Sequence, residues 1–332
     1  MRKILMLVVA LIAVALLVVA LQARKEDRVT DLQSHKLLSD QQLDTLAATQ
    51  TIILQRGEQQ VHLVREDGQW LVAQSQNFPV MQPRLAALLL ALRGAEVQEQ
   101  KTSNRQYHQR LGLSPDSEPP VLQVTLDAGD RSVGLLYGNE VGNGQLLRFA
   151  DSDQVLLINR PLNISVNSRD WLDLQVSQIP LEQIASAHWQ HADGETLALD
   201  KAEQGAYNFR LSGEESAQGQ ERKLNSMVLA LASLRAQDVS LRSELTLPQP
   251  SLTMQLETWS GAQLSASLYQ LDSQYWLTID KLQQSEEQPL AVRADTRWAY
   301  QLSVAQHDQL ALRAADLQPQ EQDAAMPEQP GQ

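Results

Sequence analysis

Two similar stretches of sequence decide the fold of this chain: RLAALLLALRGAEVQ, residues 84–98, and KLNSMVLALASLRAQDVS, residues 223–240. Both close on a related phrase, Leu92 to Val97 in the first and Leu234 to Val239 in the second. Each stretch carries leucine-rich apolar positions at spacings i, i+3, i+4 and i+7, which predict one buried helical face. The positions are Leu85, Leu88, Leu89 and Leu92, and then Leu224, Met227, Val228 and Leu231.

Matches between the two halves extend beyond these helices. Arg93 and Arg235 are 142 residues apart, and three further blocks recur in the same order with spacings of 137, 130 and 138 residues. Loops change length more readily than helices and strands do, so a drifting spacing is typical of a duplication. The matched blocks are Gly57, Gly68 and Trp70 with Gly194, Gly205 and Tyr207; Pro120, Leu122, Val124 and Leu126 with Pro250, Leu252, Met254 and Leu256; and Ile164 to Val166 with Leu302 to Val304.

Strand patterns surround each helix. TIILQRGEQQVHLVREDGQWLV, residues 51–72, and VLQVTLDAGDRSVGLLYG, residues 121–138, alternate apolar and polar residues and break at glycine-containing turns. A meander of this kind exposes one apolar face, which a single amphipathic helix per module can cover. We therefore predict an α+β fold of two tandem modules, each a mainly antiparallel sheet with one helix on a face, behind an N-terminal transmembrane helix.

The predicted boundaries follow from this pattern. Residues 1–23 are a transmembrane anchor, residues 51–178 the first module and residues 179–313 the second. Residues 24–50 are a polar linker, in which Ser39 and Gln42 have the capping-box spacing that opens a short helix. Residues 314–332, rich in Gln, Glu and Pro, are predicted to be a disordered tail with nothing to bury.

Composition limits the classes of function. The chain has 332 residues, 43% hydrophobic and 20% charged, which is enough for two globular cores. A net charge of −13 argues against nucleic acid and against adsorption to anionic lipid. The chain has no cysteine, so disulfides, thiolate nucleophiles and cysteine-ligated metals are excluded.

The N-terminus has the strongest local signal. Every residue from Ile4 to Leu21 is apolar, and as a helix these eighteen residues would span about 27 Å, close to the hydrocarbon core of a bilayer. A cleaved signal peptide ending at Val18-Val19-Ala20 is the alternative, although its apolar region is usually shorter. Basic residues flank the run on both sides, so the positive-inside rule gives no orientation. A short stub before a long body favours a bacterial inner-membrane protein with one span and a periplasmic body.

Two sequence patterns were weighed as sites. His188 and His191 have the His-x-x-His spacing, but in a strand these positions face opposite ways, so solvent-facing strand-end histidines are the favoured interpretation over a metal site. The glycine cluster GNEVGNG, residues 138–144, precedes a strand and not a helix, which favours a hairpin turn over a phosphate loop.

The remaining candidates have structural explanations as well. Trp70 and Trp171 are expected to cap cores, and Arg84 and Arg93 to lie in solvent beside a helix. The chain contains no Gly-x-Ser-x-Gly, His-Glu-x-x-His or Walker pattern. We therefore predict no catalytic, cofactor-binding or metal-binding residues, no cofactor and no enzymatic activity.

The order of several short motifs resembles a bacterial family, domain of unknown function 4340. The resemblance spans about residues 50–312 and departs from the family pattern at Gln69, which separates Gly68 from Trp70. The matching features are a strand ending in Gly-Trp, an amphipathic helix, a Gly-Leu-x-Pro turn, a meander and a tryptophan connector. They correspond to Gly68 and Trp70; Leu88, Leu89 and Leu92; Gly112, Leu113 and Pro115; and Trp171 with Val176.

The resemblance implies a context and no catalytic motif. Members of this family are encoded beside gliding-motility-type ABC transporters, together with the ATPase, the permease and a second periplasmic auxiliary protein. By association, the chain is expected to be a membrane-anchored periplasmic accessory subunit with those proteins as partners, at the inner membrane and without nucleic acid. The alternative is a stand-alone envelope ligand-binding protein or enzyme whose site is built from scattered residues.

Overall fold

The computed structural model describes residues 34–213, 220–293 and 295–317. The chain divides into two compact units. The first contains the described residues up to Ala73 together with Gln82–Trp171. The second contains Gln74–Met81 and the described residues from Leu172 onward.

The first unit is an antiparallel sheet with two helices, α1 (Asp40–Ala48) and α2 (Gln82–Arg93). Its strands lie in the order β1-β6-β10-β9-β8-β7-β2-β3-β4. They are β1 (His35–Lys36), β2 (Thr51–Arg56), β3 (Gln59–Glu66), β4 (Gln69–Val72), β6 (Glu96–Gln100), β7 (Leu122–Asp127), β8 (Ser132–Val141), β9 (Gly144–Phe149) and β10 (Leu156–Ile158). The short strand β5 (Phe78–Pro79) falls in the segment that belongs to the second unit.

The second unit has an eight-stranded sheet in the order β14-β13-β12-β16-β17-β18-β20-β15, and a two-stranded ribbon β11-β19. Its helices are α3 (Gln220–Ala232), α4 (Val304–Leu310) and α5 (Ala314–Leu317). The strands are β11 (Ser177–Gln178), β12 (Ile184–His191), β13 (Thr196–Asp200), β14 (Arg210–Leu211), β15 (Asp238–Leu241), β16 (Leu252–Thr258), β17 (Gln263–Leu271), β18 (Gln274–Gln283), β19 (Ala291–Val292) and β20 (Trp298–Leu302).

Strand order is common to the two sheets. Numbered along the chain from β2 and from β12, and leaving out β5 and β19, both sheets run third, second, first, fifth, sixth, seventh, eighth, fourth. The long helix precedes the fourth strand in each case, α2 before β6 and α3 before β15. In both units, therefore, the strand after the helix pairs with the last strand of the meander.

The predicted α+β class needs correction. The described chain is mostly antiparallel sheet, and its helices are five short elements of four to thirteen residues. The expectation of one helix per module also fails, because irregular segments cover the second face of each sheet. The predicted transmembrane helix falls on residues 1–23, outside the described residues. Among the helices of the described ranges, none has the length and apolar content that crossing a bilayer requires.

The helical stripe is narrower than the sequence predicts. In α2 the buried side chains are Leu85, Leu88 and Leu92, whereas Leu89 is only half-buried. The alignment of the helices also changes, since α2 ends at Arg93 and α3 at Ala232, 139 residues apart. The strands that follow begin 142 residues apart, at Glu96 and Asp238. Three extra residues therefore lie between helix and strand in the second unit.

Residues just before the first module are ordered. Ser39 caps α1 in the predicted capping box: its Oγ accepts from Gln42 N at 3.3 Å, and Gln42 Oε1 accepts from Ser39 N at 2.9 Å. Leu37 and Leu38 are buried, and α1 packs against β7 and β8. This part of the predicted linker thus contributes to the core of the first unit. The remainder of that linker, residues 24–33, lies outside the described residues.

A charge placed on the buried face of α2 tests the helix assignment. Leu92 is 1% exposed and Leu90 is 65% exposed on the same helix. We expect Leu92→Asp to lower the free energy of unfolding by about 3–5 kcal/mol, because the carboxylate would be buried without a partner. Leu90→Asp is the matched control and should be nearly neutral. Equal melting temperatures for the two variants in thermal unfolding would contradict this placement of α2.

The end of the described chain is fastened to the second unit by a segment that we call the C-terminal strap, residues 310–317. Arg313 Nη1 donates to Asp193 Oδ2 at 2.7 Å and to Glu195 Oε2 at 2.6 Å, on the turn between β12 and β13. Leu317 is 1% exposed, so the expectation that nothing after Arg313 is buried does not hold. Residues 318–332 of the predicted tail lie outside the described residues.

The pKa values of the two carboxyl groups respond to this fastening. Backbone hydrogen bonding from Glu195 N, followed by Arg313, lowers the pKa of Asp193 below its ordinary value of 3.8. Backbone hydrogen bonding from Ala314 N, followed by Arg313, lowers the pKa of Glu195 below its ordinary value of 4.5. A carboxyl group with a depressed folded pKa stabilises the fold above its unfolded pKa, and that contribution is lost as pH falls through the folded value.

We therefore expect the C-terminal strap to loosen selectively in acid. Amide exchange protection of residues 310–317, corrected for the intrinsic rate, should fall as pH drops below about 4 while the central strands stay protected. The Arg313→Met variant should show low strap protection already at pH 7, with a weaker dependence on pH. A strap that is protected equally at pH 3 and pH 7 would refute the role of this ion cluster.

Candidate interaction surface

The second face of the first sheet carries its own apolar cluster. Leu113, Val121, Leu136, Leu146 and Val155 are buried together there, with Leu111 and Leu157 packed against them. Leu135 and Leu136 follow each other in β8 and are both buried, as are Leu146 and Leu147 in β9. Successive strand residues point to opposite faces, so this part of the sheet is buried on both sides.

The cover of this second face is the segment that joins β6 to β7, residues 101–121, which we call the covering loop. Leu113, at its centre, is fully buried. The loop is tied to β8 because Asn139 N donates to Leu111 O at 3.0 Å and Asn139 Nδ2 donates to Arg110 O at 3.1 Å. On β9, Arg148 Nε donates to Leu113 O at 3.3 Å. The covering loop is therefore a fixed part of the unit.

Two glycines permit this close contact. A Cβ at Gly138 would lie 2.4 Å from Leu111 O and 2.8 Å from Leu113 Cγ. A Cβ at Gly112, where φ is +74°, would lie 2.4 Å from Asn139 Oδ1. Gly112 and Leu113 belong to the Gly-Leu-x-Pro turn of the sequence, so this turn places the covering loop against β8.

An apolar groove remains between the covering loop and the end of the β8–β9 hairpin, and we call it the loop groove. Its volume is about 400 Å³. Tyr107 is 48% exposed and Val141 is 46% exposed, and they stand at the surface of the groove. Leu146 connects it to the buried cluster beneath. The complete lining is Lys101, Thr102, Tyr107, Arg110, Leu111, Val141 and Leu146.

The second unit fills the corresponding region differently. Tyr137 pairs with Leu122, and Leu268 pairs with the matched residue Leu252, so Gly138 and Tyr269 occupy equivalent positions one residue further along. By the same register Leu146 corresponds to Trp276. Tyr269 and Trp276 form a buried cluster with Ala299, against which Leu245, Leu247 and Leu271 pack. Two aromatic rings thus occupy the place that Gly138 leaves to the covering loop.

The two histidines weighed as metal ligands have separate environments. Both lie on β12, where His188 lines a shallow polar groove of about 200 Å³ with Ser186, Gln255 and Glu257. His191 is 4% exposed and its Nε2 contacts Leu312 O at 3.2 Å, so the expectation that it lies near solvent is wrong. It supports the C-terminal strap, which cannot be inferred from local sequence. Within residues 34–213, 220–293 and 295–317, no cluster of three or more His, Asp or Glu side chains could hold a metal ion.

The other sequence candidates also have structural positions. Val141 and Gly144 pair across the turn Gly142-Asn143, which confirms a β-hairpin within residues 138–144. Trp171 is buried, as expected. Arg84 is not free in solvent, since its Nη1 donates to Asp170 O at 2.7 Å and its guanidinium lies 5.4 Å from the Trp171 ring centroid. These residues therefore stabilise the first unit.

Lys201 is the one buried lysine among the described residues. Burial lowers the pKa of its ammonium group, and Glu182 opposes this effect. Its Nζ donates to Leu181 O at 2.6 Å and lies 4.8 Å from the Phe209 ring centroid. A lysine held by a backbone carbonyl and an aromatic face joins the start of β12 to the β13–β14 region, and we assign it a structural role.

Sequence reasoning did not select the residues of the loop groove. Tyr107 and Arg110 lie in a polar stretch, KTSNRQYHQR, and Val141 lies beside a hairpin turn. The available signal was the Gly-Leu-x-Pro turn directly after this stretch, together with a lone aromatic residue among polar neighbours. Neither indicates a groove, because the groove forms only when the covering loop meets β8.

The fold and the groove belong to a family defined by sequence. Residues 70–251, more than half of the chain, match the family described as Domain of unknown function (DUF4340), and the chain belongs to that family. This range contains the covering loop, the β8–β9 hairpin and both long helices. No curated protein and no solved structure matches the chain.

The close contact at Gly138 can be tested by adding one methyl group. We expect Gly138→Ala to lower the melting temperature and to reduce amide protection across residues 105–117, because the covering loop must move away from β8. Gly68→Asn is the control, since a Cβ there meets nothing within 4 Å and Asn tolerates a positive φ better than other residues. Unchanged loop protection in Gly138→Ala would show that the loop is not held by this contact.

Proposed function

We propose that this protein is a membrane-anchored, non-catalytic accessory subunit of a gliding-motility-type ABC transporter, acting by contact with other proteins of the complex. The observation that carries this proposal is the loop groove, an apolar surface on a rigid support within the family-matched part of the chain. Apolar surface that stays open to water and is held in a fixed shape is typical of protein interaction sites.

The family supplies the transporter context. Its resemblance implies an ATPase, a permease and a second periplasmic auxiliary protein as partners, and an inner-membrane location with the body in the periplasm. The apolar run Ile4–Leu21 supports membrane attachment, and the absence of cysteine suits a periplasmic body. Attachment would raise the effective concentration of the two units near a permease, so that a modest interface would suffice for assembly.

Co-purification tests this proposal. When full-length protein is isolated from native membranes in several mild detergents, we expect an ABC permease and its ATPase to co-purify in fixed proportion. Deletion of residues 1–23 should reduce the recovered permease several-fold at equal expression, because the effective concentration at the membrane is lost. A matched purification of an unrelated tagged inner-membrane protein controls for carry-over. A folded, full-length protein that emerges without any transporter component would overturn the proposal.

A further inference from the structure

The loop groove has both features of a docking site for a protein segment, an apolar floor and a standing aromatic rim. Leu111 and Leu146 form the floor and continue into the buried cluster of the second face. Tyr107 and Val141, about half exposed, flank it. Because the covering loop is fixed by Asn139 and Arg148, the groove is preformed and would lose little conformational entropy on binding.

Charge at the groove identifies the kind of partner. Arg110 and Lys101 both line it, and Lys101 Nζ is paired with Glu99 Oε2 at 2.6 Å. Arg110 is exposed, and no carboxylate of the described ranges forms an ion pair with it. Such a guanidinium beside an apolar floor is suited to a bidentate contact with a carboxylate on an incoming segment.

We propose that the loop groove docks an apolar segment of a partner protein that carries an Asp or Glu side chain for Arg110. This inference rests on the proposed function, because it names the surface and the chemistry through which the accessory subunit contacts its partner. Tyr107 and Val141 contact the apolar side chains of the segment, and Arg110 sets its register through the carboxylate.

A protein segment fits these features better than a lipid does. The body of the chain is acidic, with a net charge of −13 overall, and an acidic body is repelled by an anionic bilayer surface. The groove is open along its length and only about 400 Å³ in volume, which suits a few side chains of a folded partner. A tyrosine that is half exposed at the edge of an apolar site is also a residue type enriched in protein interfaces.

The test places a photoreactive p-benzoylphenylalanine at position 107 in the full-length protein and irradiates intact cells. We expect a crosslink to one transporter component, mapped by mass spectrometry to an apolar segment that contains Asp or Glu. Position 207 is the matched control, because Tyr207 is 70% exposed in the second unit. A crosslink only to lipid, or none above the control, would overturn the docking proposal.

Three variants then test the chemistry: Tyr107→Ala, Val141→Asp and Arg110→Glu, with Tyr207→Ala, Val304→Asp and Arg56→Glu as matched exposed controls. At unchanged melting temperature, each groove variant should reduce co-purified partner about tenfold or more, as loss of an interface anchor does. Changing the crosslinked acidic residue of the partner to Arg should restore binding to Arg110→Glu and not to Val141→Asp.

The outcomes separate the two proposals. If wild-type protein recovers the transporter and the groove variants recover as much, the docking proposal is wrong and the proposed function stands. If position 107 crosslinks an apolar acidic segment of a protein outside any transporter, and charge exchange restores that pair, the docking proposal stands and the proposed function is wrong.

Discussion

The structure depends on burying the same antiparallel sheet on both faces. In the first unit, Leu135 and Leu136 point to opposite sides of β8 and both are inaccessible to water, and Leu146 and Leu147 repeat this arrangement in β9. Helices supply one cover, while a second apolar layer has to come from elsewhere. Backbone that approaches a strand this closely leaves no room for a Cβ, so Gly138 and the positive φ of Gly112 follow from the need for that second cover.

The same constraint is met in another way in the second unit. There the segment between β15 and β16 is shorter than the covering loop, and the strand positions that match Gly138 and Leu146 carry Tyr269 and Trp276. Large rings fill from the sheet side what the covering loop fills from outside. Strand order and helix position are shared, but the second face is where the two units differ most.

Local patterns predicted part of this architecture. The capping box of Ser39, the hairpin at Gly142 and the buried face of α2 each depend on residues near one another in sequence, and each is present. The phrase Leu-Arg shared by the two halves was misleading, because Arg93 ends α2 whereas Arg235 lies beyond the end of α3. The extra residues after α3 shift the helix against the strand, and no local pattern marks their position.

Long-range packing accounts for what could not be predicted. Residues 74–81 belong to the second unit, where Phe78 meets the ring of Trp298 edge-on at 4.9 Å between centroids. His191 is buried because the C-terminal strap crosses it, and the strap itself is held by carboxylates 118 and 120 residues earlier in the chain. Hydrophobic periodicity reports which face of an element is buried but not which distant segment covers it.

That distinction also locates function in this fold. A position that the fold alone must fill is filled, as Tyr269 and Trp276 show, whereas the matching part of the first unit keeps an open apolar groove beside an exposed arginine. Open apolar surface adds nothing to the stability of the folded chain and promotes non-specific association, so it needs a reason other than folding. A partner that covers Tyr107 and Val141 supplies that reason, and it places the contacts of this accessory subunit on the first unit.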